Sequence, residues 1–168
     1  MSQEIVIEEY NPHWSEIYEL EKAKLLEALR DKISGIEHIG STAVPGLPAK
    51  PIVDILLLVE RLEAPEIYSA SVEKLGYKPF TILSNDLPEH LFSMNDPRTA
   101  HLHLVRLNGP EHRRHIAFRD YLRAHPEVTA EYARLKKELA RHYQYDREAY
   151  THCKTDFVRK IETLALGE

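Results

Sequence analysis

The sequence lacks several features that would place it outside the ordinary globular proteins. It has one cysteine, Cys153, so no disulfide can form within the chain, and a reducing cytoplasmic setting is expected. The longest apolar run, residues 55–59, is far too short to cross a bilayer. The opening segment, MSQEIVIEEY, is acidic and has no basic stretch followed by an apolar one. We therefore expect no secretory signal and no membrane partner.

An excess of positive charge is absent as well. The net charge is −5, which argues against extended binding to nucleic acid but is compatible with a local basic patch. The chain contains no Walker loop, no Gly-x-Gly-x-x-Gly and no Cys-x-x-Cys, and no serine, histidine and acid follow a persuasive triad order. The common nucleotide-binding and redox motifs are thus excluded.

What is present fits one globular domain of 168 residues, with 43% hydrophobic and 29% charged residues. The hydrophobic pattern predicts strands over residues 4–9, 35–40, 52–59, 77–83, 90–95 and 100–107. It predicts helices within residues 11–31 and over 63–75, 111–125, 126–143 and 147–165. The prediction is an α+β fold, with a mixed α/β body (residues 1–108) and a helical tail (residues 109–168).

Local signals mark the ends of several helices. Asn11 or Ser15 is a candidate cap for the first helix, and Gly76 and Asp146 suit the end of the second and the start of the last. The positions that indicate one face of the first helix follow a spacing near 3.6 residues: Ile17, Leu20, Lys24, Leu25 and Leu29.

Asp54 interrupts the most apolar strand of the chain. Because side chains alternate along a strand, Asp54 shares one face with Ile52, Leu56 and Leu58. Burying a lone carboxylate is costly, so this acid must be paired, hydrogen-bonded or bound to a metal. Two interpretations stay open: an ion pair with Lys50 or an arginine, and a metal ligand in a functional site.

The turn before this strand, Gly40-Ser41, is a second candidate. Glycine lets backbone N–H groups converge and serine adds a hydroxyl, and together they can hold a phosphate. Lys50, just before the strand, would neutralise part of the phosphate charge. A plain structural turn is the alternative, since a Gly-Ser pair alone is weak evidence.

Histidines are frequent, ten in all, and two of them alternate in the strand predicted over 100–107. His101 and His103 project from one face about 7 Å apart, near enough to share a metal or a ligand. Arg98 lies just before this pair and could bind an anionic ligand. His38 and His90 could contribute to the same site only if their strands lie beside the strand that contains His101 and His103. The alternative is that His101 and His103 simply lie on the exposed polar face of a half-buried sheet.

The tail contains many charged residues, which are usually solvated. Arg113, Arg119 and Arg123 do not share one helical face. Tyr150 and Lys154 are four residues apart and face the same way. Lys154 could reach a phosphate, but a surface position is the simpler expectation.

Four segments in this order resemble the GrpB family: HIGSTAVPGLPAKPIVDI, RTAHLHLV, FRDYLRAHPEV with YARLKKELA, and REAYTHCKTDFV. The resemblance covers essentially the whole chain. The GrpB family in turn resembles, more distantly, the DNA polymerase β-like nucleotidyltransferases. In that superfamily a Gly-Ser turn binds nucleotide phosphates, and a following strand with Asp-x-Asp or Asp-x-Glu holds Mg²⁺, helped by a third acid from a later strand. The resemblance implies a nucleotidyltransferase-like mixed sheet with flanking helices, and an in-line transfer assisted by two metals.

By position, the resemblance implies that Gly40 and Ser41 form the phosphate turn and that Asp54 is the first metal ligand. The second carboxylate should stand at position 56, where Leu56 cannot ligate a hard cation. His101 and His103 occupy the later strand, and imidazoles favour Zn²⁺ or Mn²⁺ over Mg²⁺. The expected ligands are therefore a nucleoside triphosphate and one divalent metal (Mg²⁺, Mn²⁺ or Zn²⁺).

Three functions follow as hypotheses. The first is a metal-assisted transferase that moves a nucleotidyl or phosphoryl group, with Asp54, His101 and His103 as catalytic and metal-binding residues. The second is a non-catalytic protein that binds a nucleotide or phosphorylated small molecule, which Leu56 favours. The third is a different chemistry at a histidine-bound transition metal. In the first two, Gly40, Ser41, Lys50 and Arg98 bind the ligand.

Overall fold

The computed structural model describes residues 3–80 and 89–168. Five strands form one sheet: β1 Gly35–Ile39, β2 Val53–Val59, β3 Tyr77–Phe80, β4 His90–Met94 and β5 Ala100–Arg106. Five α-helices accompany them: α1 His13–Leu29, α2 Glu66–Glu73, α3 Pro110–Ala124, α4 Pro126–His142 and α5 Arg147–Leu166. A short 3-10 helix, Ser41–Ala43, follows β1. No helix in these described ranges is long and apolar enough to cross a membrane.

The sheet is mixed, with the strand order β1-β2-β5-β4-β3. The pair β2 and β5 is parallel, and the other neighbours are antiparallel. Val53–Val59 is almost entirely buried, as its continuous apolar run requires of an interior strand covered on both faces. In the parallel register, Asp54 lies beside His101 and Leu56 beside His103. The fold therefore places the acid and both histidines on adjacent strands.

The alternation along β2 separates two hydrophobic clusters. Val53, Ile55 and Leu57 face the main core, where side chains of α1 and α2 cover them. Leu56 and Leu58 face the opposite side and pack with residues that include Ile116 of α3. Asp54 belongs to this second face, as the alternation predicts, and lies near the beginning of the strand.

The three tail helices share a cluster built on Leu122, Tyr132 and Ile161. Val44 and Leu47, from the loop between β1 and β2, are buried in the same cluster. The loop that follows the Gly-Ser turn is therefore fixed to the tail as well as to the sheet.

The strand predicted over residues 4–9 is wrong. In this segment only Glu8 pairs, in an isolated bridge with Ala49, while the Ile5 N–H donates to the Gln144 carbonyl at 2.7 Å. Ile5 is buried against Ala140 and Tyr150 of the tail. The segment stays outside the sheet because Ile5 finds its backbone and side-chain partners in the tail, while Glu8 pairs with the loop before β2.

The other elements agree with the prediction to within three residues at each end over the described ranges. The last part of the strand predicted over 77–83, and residues 84–88 of the following turn, lie outside the described residues. The buried stripe of α1 also differs from the prediction, because Ile17 and Leu20 are exposed while Trp14 and Tyr18 are buried. Larger aromatic side chains gain more from burial, which turns the helix toward them.

Candidate functional site

A cleft of about 940 Å³ lies between one end of the sheet and the last two helices. The sheet contributes Asp54, His101 and His103 to its lining. The segment between β1 and β2 contributes Ser41 and Lys50, and the turn before β5 contributes Arg98. Helices α4 and α5 contribute four further lysine and arginine side chains: Lys136, Arg147, Lys154 and Arg159. Six of the seven residues selected from the sequence therefore line one cleft. The seventh, Gly40, lies directly against Asp54.

Asp54 is held by the two histidines of β5. Its Oδ1 lies 3.1 Å from His103 Nε2 and 3.3 Å from His101 Nδ1. The ion pair with Lys50 that the sequence allowed is not formed, because the parallel register puts the imidazoles nearer to the acid. These three side chains present a carboxylate oxygen and two ring nitrogens within 4.8 Å of one another, which is a spacing that suits a metal ion.

The histidines also set the charge of this group. Burial alone would raise the pKa of Asp54, but hydrogen bonds from His101 and His103 hold it well below the usual range. Burial would likewise lower the pKa of His103, yet its hydrogen bonds to Asp54 and Glu89 raise it to about 9. In the metal-free protein the acid is therefore ionised and His103 is protonated. A metal that binds Nε2 must displace that proton.

Glu89, which the sequence analysis missed, lies on the far side of His103. His103 Nδ1 donates to Glu89 Oε2 at 3.4 Å, while Nε2 faces Asp54. A carboxylate behind a histidine in this way fixes the ring and its tautomer in metal sites. Glu89 and His103 also form a possible ligand group with His115 of α3. His103 belongs to both possible ligand groups. Because its Nε2 faces Asp54 and its Nδ1 faces Glu89, Asp54 suits the role of metal ligand and Glu89 that of the residue that orients the ring.

Gly40 is required by the position of Asp54. Its φ is +73° and its ψ is −173°, a backbone conformation that is essentially restricted to glycine. A Cβ built on Gly40 would lie 2.6 Å from Asp54 Oδ2, which is closer than any real contact. The glycine predicted to bind phosphate therefore has a further role, because its missing side chain gives the carboxylate its space.

Ser41 begins the short 3-10 helix, and its hydroxyl meets the buried side chain of Lys136 from α4. Lys136 Nζ lies 2.9 Å from Ser41 Oγ and is also 4.7 Å from the Tyr132 ring centroid. In the sequence Lys136 looks like any lysine of a charged helix. It differs from Lys137, whose side chain is exposed and pairs with Glu9, only by its place on the helix.

Three lysines share the cleft without a carboxylate in ion-pair contact among the described residues: Lys50, Lys136 and Lys154. Burial, followed by repulsion from Lys154 and Arg147, lowers the pKa of Lys50 to about 7. Burial and the neighbouring lysines lower the pKa of Lys136 well below its ordinary value. Lys154 is half-buried in the cleft lining, with its Nζ 4.9 Å from the Tyr150 ring centroid, so it is not a fully exposed surface lysine, and burial lowers its pKa as well. Uncompensated ammonium groups favour an anionic ligand.

Two arginines of α3 bind the backbone on either side of the Gly40-Ser41 turn. Arg119, which is buried, donates to Glu37 Oε2 at 2.7 Å and to the His38 carbonyl at 3.0 Å. Arg123 donates to the Ala43 carbonyl through two nitrogens. The expectation that this charged run is solvated is wrong for Arg119, which is buried, whereas Arg123 stays exposed while it donates to the loop. Their contacts fix the backbone on both sides of Ser41.

The remaining strand histidines do not join the cleft. His38 is buried, shares a 2.9 Å hydrogen bond with Thr42 Oγ1 and stacks on Tyr18. His90 Nε2 donates to the Glu63 carbonyl at 2.7 Å, on the α2 side of the sheet. Only the pair on β5 faces Asp54 among the histidines of the described strands.

His38 makes the turn sensitive to acid. Burial lowers its pKa from 6.5 to about 4, so it is neutral in the folded state. Because the unfolded chain binds this proton more readily, the stabilisation is complete above pH 6.5 and is lost as the pH falls toward 4. We expect the free energy of unfolding to fall by on the order of 3 kcal/mol more in the wild type than in His38→Gln over this range. Urea denaturation of both proteins at pH 7 and pH 4 measures it, and equal losses would contradict the assignment.

The structure is similar to solved nucleotidyltransferases at the level of the fold. A crystal structure of Cid1 poly(U) polymerase, described as bound to Mg and 3'-dATP, superposes with a TM-score of 0.52 at 13% identity. The match covers 82% of this chain and 43% of that one. At such low identity the similarity shows a nucleotidyltransferase-like fold and says nothing about activity.

Closer relatives match over nearly the whole chain. A crystal structure of conserved protein GrpB from Enterococcus faecalis has a TM-score of 0.88 at 35% identity, and covers 96% of this chain and 98% of that one. A UPF0157 protein of Pseudomonas aeruginosa is 41% identical over 94% of this chain and 66% of its own length. A UPF0157 protein of Bacillus subtilis is 35% identical over 91% of this chain, which spans 45% of that relative. The GrpB protein family itself matches residues 4–163. The chain therefore belongs to the GrpB family.

Proposed function

We propose that this protein binds a nucleoside triphosphate and a divalent metal in the cleft, and transfers a nucleotidyl or phosphoryl group to an acceptor. The observation that supports the proposal is the convergence of Asp54, His101 and His103 with a cationic lining in one cleft of about 940 Å³. A cavity of this size accommodates a nucleotide.

The charge of the cleft favours a polyanionic ligand. The chain as a whole has a net charge of −5. The cleft instead has six cationic side chains against three carboxylates. The cationic residues are Lys50, Arg98, Lys136, Arg147, Lys154 and Arg159, and the carboxylates are Asp54, Asp146 and Glu148. A triphosphate would supply the missing negative charge, and its arrival would favour the protonated form of Lys50, whose pKa is lowered to about 7.

The donor set favours one metal with some affinity for nitrogen. Asp54 offers an oxygen, and His101 and His103 offer nitrogens, a combination that suits Mn²⁺ or Zn²⁺ better than Mg²⁺. Buried His101 Nε2 has no hydrogen-bond partner among the described residues. When bound, the metal would polarise a phosphoryl oxygen and neutralise charge during transfer.

Leu56 distinguishes this site from a metal centre with two carboxylates on one strand. It is fully buried against Ile39 and Val105, so the position of the second acid belongs to the hydrophobic core. A single metal then has to suffice, with lysines and arginines neutralising the phosphates. The same observation favours the second candidate function, a binding protein without turnover, and the assay must separate binding from transfer.

Binding and turnover are tested with the four ribonucleoside triphosphates and Mg²⁺, Mn²⁺ or Zn²⁺. We expect at least one triphosphate to bind in a metal-dependent manner by equilibrium dialysis, and its consumption to be visible by chromatography. Metal-independent binding without consumption would identify a binding protein instead. Absence of binding with every combination would contradict the proposal.

Lys154 provides a matched test of the phosphate contacts. We expect Lys154→Met to weaken triphosphate binding by about tenfold, because it removes one cationic side chain from the cleft lining. Lys160 lies on the same helix with its side chain exposed and does not line the cleft, so Lys160→Met should bind as the wild type does. Equal affinities of the two variants would remove Lys154 from the ligand site.

A further inference from the structure

Ser41 and Lys136 form a pair that phosphate binding alone does not explain. Their Oγ and Nζ atoms are 2.9 Å apart, although the residues are 95 positions apart in the chain. Lys136 is only 2% exposed, while Ser41 lines the cleft. The hydroxyl is therefore open to a ligand on one side, while on the other it contacts the buried amine and is hydrogen-bonded with the Tyr132 side chain.

The surroundings of Lys136 favour the neutral amine. Its neighbours are the Tyr132 ring and two further lysines, and no carboxylate of the described residues forms an ion pair with it. A buried ammonium without a counter-ion is costly, and burial holds the pKa of Lys136 well below its ordinary value. Lys50, whose pKa falls only to about 7, takes up a proton first when an anion arrives. Lys136 thus keeps a lone pair beside the hydroxyl.

We propose that Ser41 is the nucleophile of a covalent nucleotidyl-transfer step and that Lys136 is its general base. This inference rests on the proposed function. Ser41 Oγ attacks the α-phosphorus of the triphosphate, and its proton passes to Lys136 Nζ. The bond from the α-phosphorus to the bridging oxygen breaks, and pyrophosphate leaves with the electron pair. The product is a phosphodiester between Ser41 and the nucleoside 5′-phosphate.

The second half-reaction returns the enzyme to its starting state. An acceptor hydroxyl or water attacks the same phosphorus and releases its own proton to solvent, and the bond to Ser41 Oγ breaks. Lys136 gives its proton back to the serine oxygen as the general acid. Other cationic side chains of the cleft, among them Lys50, Lys154 and Arg98, hold the phosphates during both steps. A stored intermediate of this kind predicts exchange of pyrophosphate without any acceptor.

Two variants of Lys136 separate a base from a structural donor. Lys136→Arg places N–H donors and a fixed positive charge beside Ser41 but cannot accept a proton near neutral pH. Lys136→Met fills the same buried space without donor or base. If Lys136 only orients Ser41, the arginine variant retains activity. If Lys136 is the base, both variants lose it.

The experiment measures exchange of labelled pyrophosphate into each triphosphate with Mn²⁺, and the intact mass of protein quenched in acid. We expect wild-type protein to exchange label and to form a nucleotidyl adduct that maps to Ser41. Ser41→Ala should do neither, and both Lys136 variants should exchange at least about 100-fold more slowly. Ser69→Ala is the matched control, because that hydroxyl donates to the Pro65 carbonyl on α2, away from the cleft.

The outcomes distinguish this inference from the function on which it rests. Triphosphate binding or turnover without adduct and without exchange overturns the covalent step and leaves the proposed function standing. Absence of triphosphate binding overturns both. Full exchange by a folded Lys136→Arg overturns the role of Lys136 as the base. Circular dichroism and equilibrium dialysis on each variant show whether a lost signal comes from lost folding, and Ser41→Ala tests the nucleophile independently of Lys136.

Discussion

Asp54→Asn is expected to lower the affinity for Mn²⁺ by about 100-fold or more, with the fold retained. The substitution keeps the shape of the side chain but removes the negative charge that His101 and His103 face at 3.3 and 3.1 Å. A neutral amide is a poor ligand beside two imidazoles, and the metal loses its only carboxylate in this group. Isothermal titration with Mn²⁺ on wild type and variant measures the difference.

A control for this prediction lies on α5. Asp156 is exposed and does not line the cleft, so Asp156→Asn should bind Mn²⁺ as the wild type does. The raised pKa of His103 gives a second readout, because it depends on hydrogen bonds to Asp54 and Glu89. In metal-free Asp54→Asn the pKa of His103 should fall from about 9 toward its ordinary value, which NMR titration follows. Unchanged Mn²⁺ affinity in Asp54→Asn would remove the acid from the metal site.

Gly40→Ala is expected to destabilise the protein by about 3 to 5 kcal/mol. One part of this loss comes from the backbone, whose φ of +73° and ψ of −173° suit only glycine. The larger part comes from the new Cβ, which would lie 2.6 Å from Asp54 Oδ2. The carboxylate cannot move aside without leaving its two histidines. Denaturation by guanidinium, at constant pH and without metal, measures the loss.

Gly46 separates the two contributions. Its φ is +82°, but nothing lies within 4 Å of a Cβ built there. Gly46→Ala should therefore cost only the backbone strain, about 1 to 2 kcal/mol. If Gly40→Ala lowers the free energy of unfolding no more than Gly46→Ala does, the Asp54 carboxylate can adopt another position without cost, and the prediction is wrong.

The sequence predicted the strands of the sheet because their patterns are local. Residues 52–59 form an apolar run that only an interior strand suits, and the alternation of His101 and His103 gave their common face. The segment 4–9 has the same local alternation, yet it pairs with Ala49 and Gln144. Nothing in six residues specifies which partner a strand-like segment will find, since that choice depends on the packed surfaces around it.

The candidate site was predictable where a residue is chemically unusual in its own surroundings. Asp54 breaks an apolar run, and the histidine pair lies on one strand, so both are visible in the sequence. Lys136 and Glu89 have no such contrast, because lysine is ordinary in a charged helix and glutamate in a turn. Their importance arises from long-range contacts with Ser41 and His103. Such contacts exist only once the tail and the sheet have come together.

The position of Val44 and Leu47 in the tail cluster has a consequence for how the molecule can be divided. A fragment ending after β5 would retain the acid and both imidazoles. It would lack Lys136 and Lys154, and two buried side chains of its own turn would be left in water. Mixing this fragment with the separate tail therefore tests directly how the two parts assemble. Adding the separate tail should both order the turn and create the anion site, so that structure and ligand affinity return in one cooperative event.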